Sequence, residues 1–133
     1  MAALGRGPLV PTGVRWPPDP TYVPFAIDIA APASVKRGTT LVYYVTLTNL
    51  SQTDYRLEPC PDYNQFLLHK KPVSMYQLNC GPVGRHIGSG ASVTFEMQLK
   101  VPSDLEPGPN DLTWSLMDGR VSPSVAHTAV VVT

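Results

Sequence analysis

The chain has little cysteine, little charge and no long apolar run, and each shortage removes a class of function. Of its 133 residues only 2 are cysteine, Cys60 and Cys80, and neither C-x-x-C nor H-x-x-x-H occurs, so zinc-ligand spacing is missing. Charged residues make up 15%, with 10 basic against 10 acidic, which leaves no basic face to displace phosphate counterions. Nucleic acid is therefore not an expected partner. The longest strongly apolar stretches, such as "TLVYYVTL" and "AVVV", are far shorter than the roughly 20 residues that span a bilayer. The opening "MAALGRGPLVPTG" lacks the apolar core, roughly 7 to 15 residues, of a signal peptide. An extracytoplasmic address thus calls for a leader or anchor trimmed from upstream; a cytosolic protein is the alternative. No G-x-S-x-G elbow, H-E-x-x-H helix or phosphate-cradling glycine loop is found, since "GSGAS" and "GPVGRHIG" do not lead into helices. No catalytic residue, metal or cofactor is assigned, and the chain is not read as an enzyme.

What is present is proline, glycine and a two-residue period. The length suits one domain with a single core. Pro8, Pro11, Pro17, Pro18, Pro20 and Pro24 crowd the start, where fixed φ and missing N–H donors oppose helix and central strand. Residues 1–24 read as an extended arm or linker, and Val14, Trp16, Tyr22 and Val23 favour its docking in part on the domain that follows, residues 25–133.

From Phe25 apolar side chains alternate with polar ones. "FAIDIAAP" puts Phe25, Ile27 and Ile29 on one face; "TLVYYVTLTNLS" does the same for Leu41, Tyr43, Val45, Leu47 and Asn49. In "SVTFEMQLKVP", Val93, Phe95, Met97, Leu99 and Val101 alternate with Thr94, Glu96, Gln98 and Lys100, as a strand with one dry and one wet face requires. "DLTWSLMDG" adds Leu112, Trp114 and Leu116, and its Asp118-Gly119 pair can turn the chain into a last strand near "AHTAVVVT". Turn signals separate these runs, and no window carries a helical stripe. About seven short strands without helix predict an all-β, antiparallel β-sandwich.

The order "P.SV.RGTTL", "YYVTLTNLS", "LEPCPDYNQ", "YQLNCG", "IGSGASVTFEMQLKVP" and "PGPNDLTWSL" resembles the immunoglobulin-like domains that follow a signal or membrane anchor in bacterial, particularly actinobacterial, cell-envelope proteins. The resemblance covers about residues 25–117. It implies an immunoglobulin-like sandwich, a Cys60–Cys80 disulfide and an extracytoplasmic address, and it carries no enzymatic activity. The antibody pattern, with cysteines on strands B and F and a tryptophan on strand C, is absent. "YRLEPCPDYNQFLL" and "VSMYQLNC" read as successive strands, so Cys60 and Cys80 sit at strand ends that can meet. Their bond would close a loop of about 21 residues and stabilise the fold by roughly 3 kcal/mol in the chain-entropy model. Paired cysteines of this kind belong to an oxidising compartment.

Other uses of the thiols fare worse. A cupredoxin-like copper site could draw on Cys80, His69, His86, His127, Met75 or Met97, but "CGPVGRH" has no methionine closely following the histidine. A nucleophilic thiol would need His69 or His86 as base, with Lys70 and Lys71 nearby; "LLHKK" reads more simply as a solvated turn before Pro72. "NLS" at Asn49 fits the N-glycosylation sequon. What remains is binding. Tyr55, Tyr63, Asn64, Gln65, Phe66, Tyr76 and Asn79 crowd the cysteines, a mixture suited to protein or cell-wall sugar contacts. The expected function is a non-catalytic extracytoplasmic interaction module. A protease inhibitor presenting "LLHKKPVS" and an accessory carbohydrate-binding domain are the alternatives.

Overall fold

A computed structural model describes residues 22–67 and 75–133. The first 21 residues of the predicted arm, and His69, Lys70 and Lys71 of "LLHKKPVS", lie outside the described residues. The strands are β1 (Val23–Ala30), β2 (Ser34–Val35), β3 (Thr40–Asn49), β4 (Tyr55–Arg56), β5 (Asp62–Leu67), β6 (Met75–Gln77), β7 (His86–Ile87), β8 (Ser92–Lys100), β9 (Gly108–Met117), β10 (Val121–Ser122) and β11 (Val125–Val132). Among the described residues the only helical element is a 3-10 turn at Gly81–Val83. Two sheets face each other: one in the order β10-β1-β3-β8, the other β2-β11-β9-β5-β6. The short β4–β7 ladder stands apart from both. This is a β-sandwich, as the alternation predicts, of the immunoglobulin-like kind that the resemblance implies, with two short parallel pairings added to its antiparallel ladders.

The period-two faces form its core. Leu41, Tyr43, Val45, Leu47 and Asn49 of β3 are buried, as are Phe95 and Met97 of β8 and Leu112, Trp114 and Leu116 of β9. Trp114 is fully enclosed, because its strand lies between β11 and β5 and the opposite sheet, β10-β1-β3-β8, covers its inner face. Val23 and Pro24 belong to β1, where they pair in parallel with Val121 and Ser122.

One side of the sandwich is closed by the chain itself. After β1 pairs with β3, the chain crosses at Ala31–Ala33 to the opposite sheet, where β2 runs parallel to β11. A turn at Lys36–Thr39 then returns it to β3, with Gly38 at a φ of 78°, a conformation that disfavours any side chain. Gly38 and Thr39 together oppose Val101, the two-against-one pattern of a bulge.

The other side is open. Here β8 and β6 are the terminal strands of their sheets. At the ends of β8, Ala91 O accepts from Asn49 N and Val101 N donates to Thr39 O, both at 2.9 Å. Odd-numbered residues thus bond toward β3, and even-numbered ones turn their backbone groups to the free edge. Gln65 of β5 reaches across, its Nε2 donating to the Gln98 carbonyl at 2.8 Å while its Oε1 accepts the Tyr43 hydroxyl proton. One side chain therefore ties both sheets together and covers part of the long edge.

Asn49 performs a similar task at the end of β3. Its side chain is wholly buried: Nδ2 donates to Thr53 O and Ile87 O, each at 2.8 Å, and Oδ1 accepts from Ser51 N at 2.9 Å and Ser51 Oγ at 2.7 Å. The sequon reading is corrected accordingly, since the amide nitrogen that would carry a glycan faces the interior with both protons engaged. Replacing Asn49 with Ala removes four hydrogen bonds and leaves the Ile87 carbonyl and the Ser51 N–H without their partner, while Thr53 O keeps the Ser51 hydroxyl. We predict a loss of about 2–4 kcal/mol, at roughly 1 kcal/mol per hydrogen bond, measured by urea denaturation; a loss below about 0.5 kcal/mol would contradict this account.

Candidate binding surface

The second sheet's outer face is built on a cross-strand row. Met75 of β6 stands opposite Asn64 of β5, Asn64 opposite Ser115 of β9, and Ser115 opposite Val125 of β11. Two residues along β9, Met117 flanks the row, and two residues along β5, Phe66 does the same. Met75 is 55% exposed, Val125 52% and Met117 47%, three solvent-facing apolar groups close together on one sheet. Asn64, Ser115, Leu116, Met117, Asp118, Gly119, Ser124 and Val125 line an open groove of about 560 Å³. Within it Asn64 Nδ2 lies 3.9 Å from Met117 Sδ, and Asn64 Oδ1 is buried with no hydrogen-bond partner. A buried carbonyl oxygen without a donor costs about 1–3 kcal/mol.

The disulfide fixes the adjoining hairpin. Cys60, in the loop after β4, is bonded to Cys80, in the segment after β6, with the Cα atoms 5.9 Å apart. Two hydrogen bonds run beside it: Leu78 N to Pro61 O at 2.8 Å and Gln77 Nε2 to Cys60 O at 3.2 Å. Cys80 O then accepts from Val83 N and Arg85 N, which starts the 3-10 turn. On the hairpin's inner face Trp114, Tyr63 and Tyr76 form an aromatic series, with ring centroids 5.7 Å and 5.8 Å apart. It runs from the core to the edge, where Tyr76 is 46% exposed. Burial, then the neighbouring Tyr76, raises the Tyr63 phenol above its ordinary range.

The predicted contact residues therefore separate. Asn64, Phe66 and Tyr63 are half-buried, and Tyr76 and Asn79 are exposed. Two placements are corrected. Gln65 is buried because β5 is a sandwich strand and its amide bridges the two sheets. Tyr55 is buried because its ring packs edge-on against Phe25 at 5.0 Å and its hydroxyl donates to Asp118. The strand expected from "YRLEPCPDYNQFLL" is also interrupted, since β4 ends at Arg56 and β5 begins only at Asp62, with Glu58–Pro59 cis between them. Met75, Met117 and Val125 were not assigned from sequence to the surface; their signal was apolar residues on the outward phase of their strands.

The copper alternative loses its ligands. The Cys80 sulfur is bonded to Cys60, and Met97 is buried on the inner face of β8. His86 Nδ1 lies 2.7 Å from Asp54 Oδ1, and His127 Nδ1 lies 3.2 Å from Asp111 Oδ1.

Comparison with known proteins identifies an architecture. No family model matches the chain, and no curated protein does. The solution structure of a CARDB domain from Pyrococcus furiosus is similar over 84% of this chain and 96% of that domain, with a TM-score of 0.57 and 14% identity. A crystal structure of that domain in complex with di-metal ions gives a TM-score of 0.58 at 13% identity, covering 84% and 90% of the two chains. A β-glucosidase from Listeria innocua gives a TM-score of 0.52 at 15% identity over 84% of this chain, which spans 16% of the enzyme's chain. At these identities the likeness is one of fold, and the fold is the immunoglobulin-like sandwich of CARDB domains.

One lip of the groove is anchored electrostatically. Arg120 reaches Asp118 through Nε at 3.0 Å and Nη2 at 2.8 Å, donates to the Tyr55 hydroxyl at 3.0 Å and lies over the Tyr55 ring at 4.8 Å. Burial alone would raise the Asp118 carboxyl, but hydrogen bonds from Arg120 and Tyr55 and the guanidinium charge outweigh it and hold the pKa at about 2. The Tyr55 phenol is raised, first by burial and then by Asp118. Because the folded value for Asp118 lies below the ordinary carboxylate value, its stabilisation is complete above about pH 4 and is lost as pH falls through about 2. The Arg120 side chain is 46% exposed, so screening reduces the contribution to on the order of 1–2 kcal/mol. Asp118→Asn should remove this part of the stability decline between pH 5 and pH 2, followed by thermal unfolding across that range. An unchanged pH slope in the variant would refute the assignment.

Proposed function

We propose that this chain is a non-catalytic, extracytoplasmic interaction module that binds a protein through the outer face of its second sheet. The observation that carries the reading is the row Met75–Asn64–Ser115–Val125 with Met117 beside it: an exposed apolar surface around a buried, unpartnered acceptor. Methionine side chains adapt to irregular partners, and a central apolar patch with a polar rim is the anatomy of a protein contact. Asn79 is exposed at the same sheet edge, and Tyr76 is exposed there on the other face of β6 from Met75. The disulfide supports an oxidising compartment of the cell-envelope kind. It also supports a preorganised surface, which lowers the entropic cost of association.

The opposite sheet presents a different outer surface. There Val42 and Tyr44 are exposed beside a hydroxyl ladder, with Thr46 and Thr94 2.9 Å apart and Thr48 and Ser92 2.7 Å apart, hydroxyls already satisfied within the molecule. A photo-crosslinking amino acid at position 117 should therefore capture one protein in the native host, while the same group at position 96 should not. Combining Met75→Ser with Met117→Ser should weaken capture from position 79 by about tenfold, the effect of losing a central contact. Equal adducts from positions 117 and 96 would sink the reading.

A further inference from the structure

Among the described strands, β8 has the longest free edge. Ser92–Lys100 pair with β3 without interruption, from Thr48 opposite Ser92 to Thr40 opposite Lys100, and β8 ends its sheet. An open edge of this length is ordinarily blunted by a proline, a bulge within the strand or a charge facing inward. β8 has none of these: its inward residues are Val93, Phe95, Met97 and Leu99, and the bulge lies beyond it at Val101. Gln65 guards a single atom, the Gln98 carbonyl oxygen, and reaches it from the opposite sheet, which leaves that oxygen a second lone pair. The backbone groups of Glu96 and Lys100 and the Gln98 N–H turn to the open side.

The outward side chains of β8 say what fits this edge. Thr94, Glu96, Gln98 and Lys100 are all exposed, and they carry one charge of each sign. An antiparallel strand reverses the order of its charges, so the complement of this edge is another β8. Hydrogen bonding requires even-numbered residues to face even-numbered ones, which leaves few registers. A two-fold axis at Glu96 sets like charges face to face, and one at Met97 sets Glu96 opposite Gln98 and Lys100 opposite Thr94. An axis at Gln98 sets Glu96 of each copy opposite Lys100 of the other, the stabilising arrangement for a cross-strand pair. With 10 basic and 10 acidic residues in the chain, two copies approach without net repulsion.

We infer that two copies of this chain associate edge to edge through β8, antiparallel about Gln98, and join their β10-β1-β3-β8 sheets into one continuous sheet. Val42 and Tyr44, exposed opposite Gln98 and Glu96 on the neighbouring strand, flank the seam. The association uses the edge of the first sheet and does not depend on the protein contact proposed for the outer face of the second.

The test is sedimentation equilibrium of the complete chain over a wide concentration range, with dimer expected to grow as concentration rises. Glu96→Lys and Lys100→Glu each set like charges opposite at both pairs and should weaken dimerisation at least tenfold. The double variant Glu96→Lys/Lys100→Glu should restore it, and an equimolar mixture of the two single variants should form the mixed dimer. Both side chains are exposed, so these changes leave the sandwich core untouched. In amide hydrogen exchange, higher concentration should protect Glu96, Gln98 and Lys100 while Phe95 and Met97, already bonded to β3, stay as they are. A chain that stays monomeric up to millimolar concentration would overturn the inference. So would a dimer indifferent to the charge reversals, or one that leaves the Glu96, Gln98 and Lys100 amides unprotected, since its contact would lie elsewhere. A self-adduct from a crosslinking residue at position 96 has twice the mass of the chain and is thereby distinct from capture of a different protein.

Discussion

The bond between Cys60 and Cys80 is the constraint on which the exposed face depends. β6 contributes only three residues to its sheet, all exposed, and pairs with β5 alone. A two-stranded hairpin of that size has little stability of its own. Joining Cys60, two residues before β5, to Cys80, three residues after β6, holds the hairpin ends together, reinforced by the Leu78–Pro61 backbone bond. Leu78 and Cys80 are thereby buried against the core, while Met75 and Tyr76 remain outside. Met75 joins the outer row across β5, β9 and β11 only if β6 stays in place.

The rest of the sandwich solves the problem of free edges in two ways. On one side the chain changes sheets between β1 and β2, and the edges are completed by parallel pairings, β10 beside β1 and β2 beside β11. On the other side no strand crosses, and the closure is made by side chains: Gln65 between Tyr43 and Gln98, and Tyr63 between Trp114 and Tyr76. Burial raises the Tyr43 phenol, with Tyr63 adding to the shift, so both hydroxyls stay protonated across the physiological range. A neutral Tyr43 is what lets its hydroxyl donate to Gln65. The open side is thus bound by hydrogen bonds and aromatic contact instead of a ladder.

The inner faces of β3, β8 and β9 could be read directly from sequence because each has one dry and one wet side, and alternation records that difference. The groove could not. Asn64, Ser115, Val125 and Met75 are brought into one row by pairings between distant strands, and local period carries no register between strands. Outward apolar residues such as Met117 also blur the alternation that marks a face. Tyr55 and Gln65 misled for a different reason. Each has a polar end that suggests solvent, and in the fold that end is satisfied by Asp118 or by Tyr43 and Gln98. Asn49 repeats the lesson, since a sequon describes three residues and says nothing of whether the amide is already bonded inside. The cysteines were legible because two lone thiols at strand ends leave few other partners.

Hydrogen exchange before and after reduction of the Cys60–Cys80 bond tests most directly whether the disulfide serves the exposed face. The account predicts that the amides of β6 and of Leu78 lose protection on reduction while the β3–β8 ladder keeps its own. Unchanged protection at Leu78 and Tyr76 would contradict it, because the hairpin would then be held without the bond. Loss of protection throughout β3 and β8 would contradict it as well, by making the disulfide a brace for the whole domain.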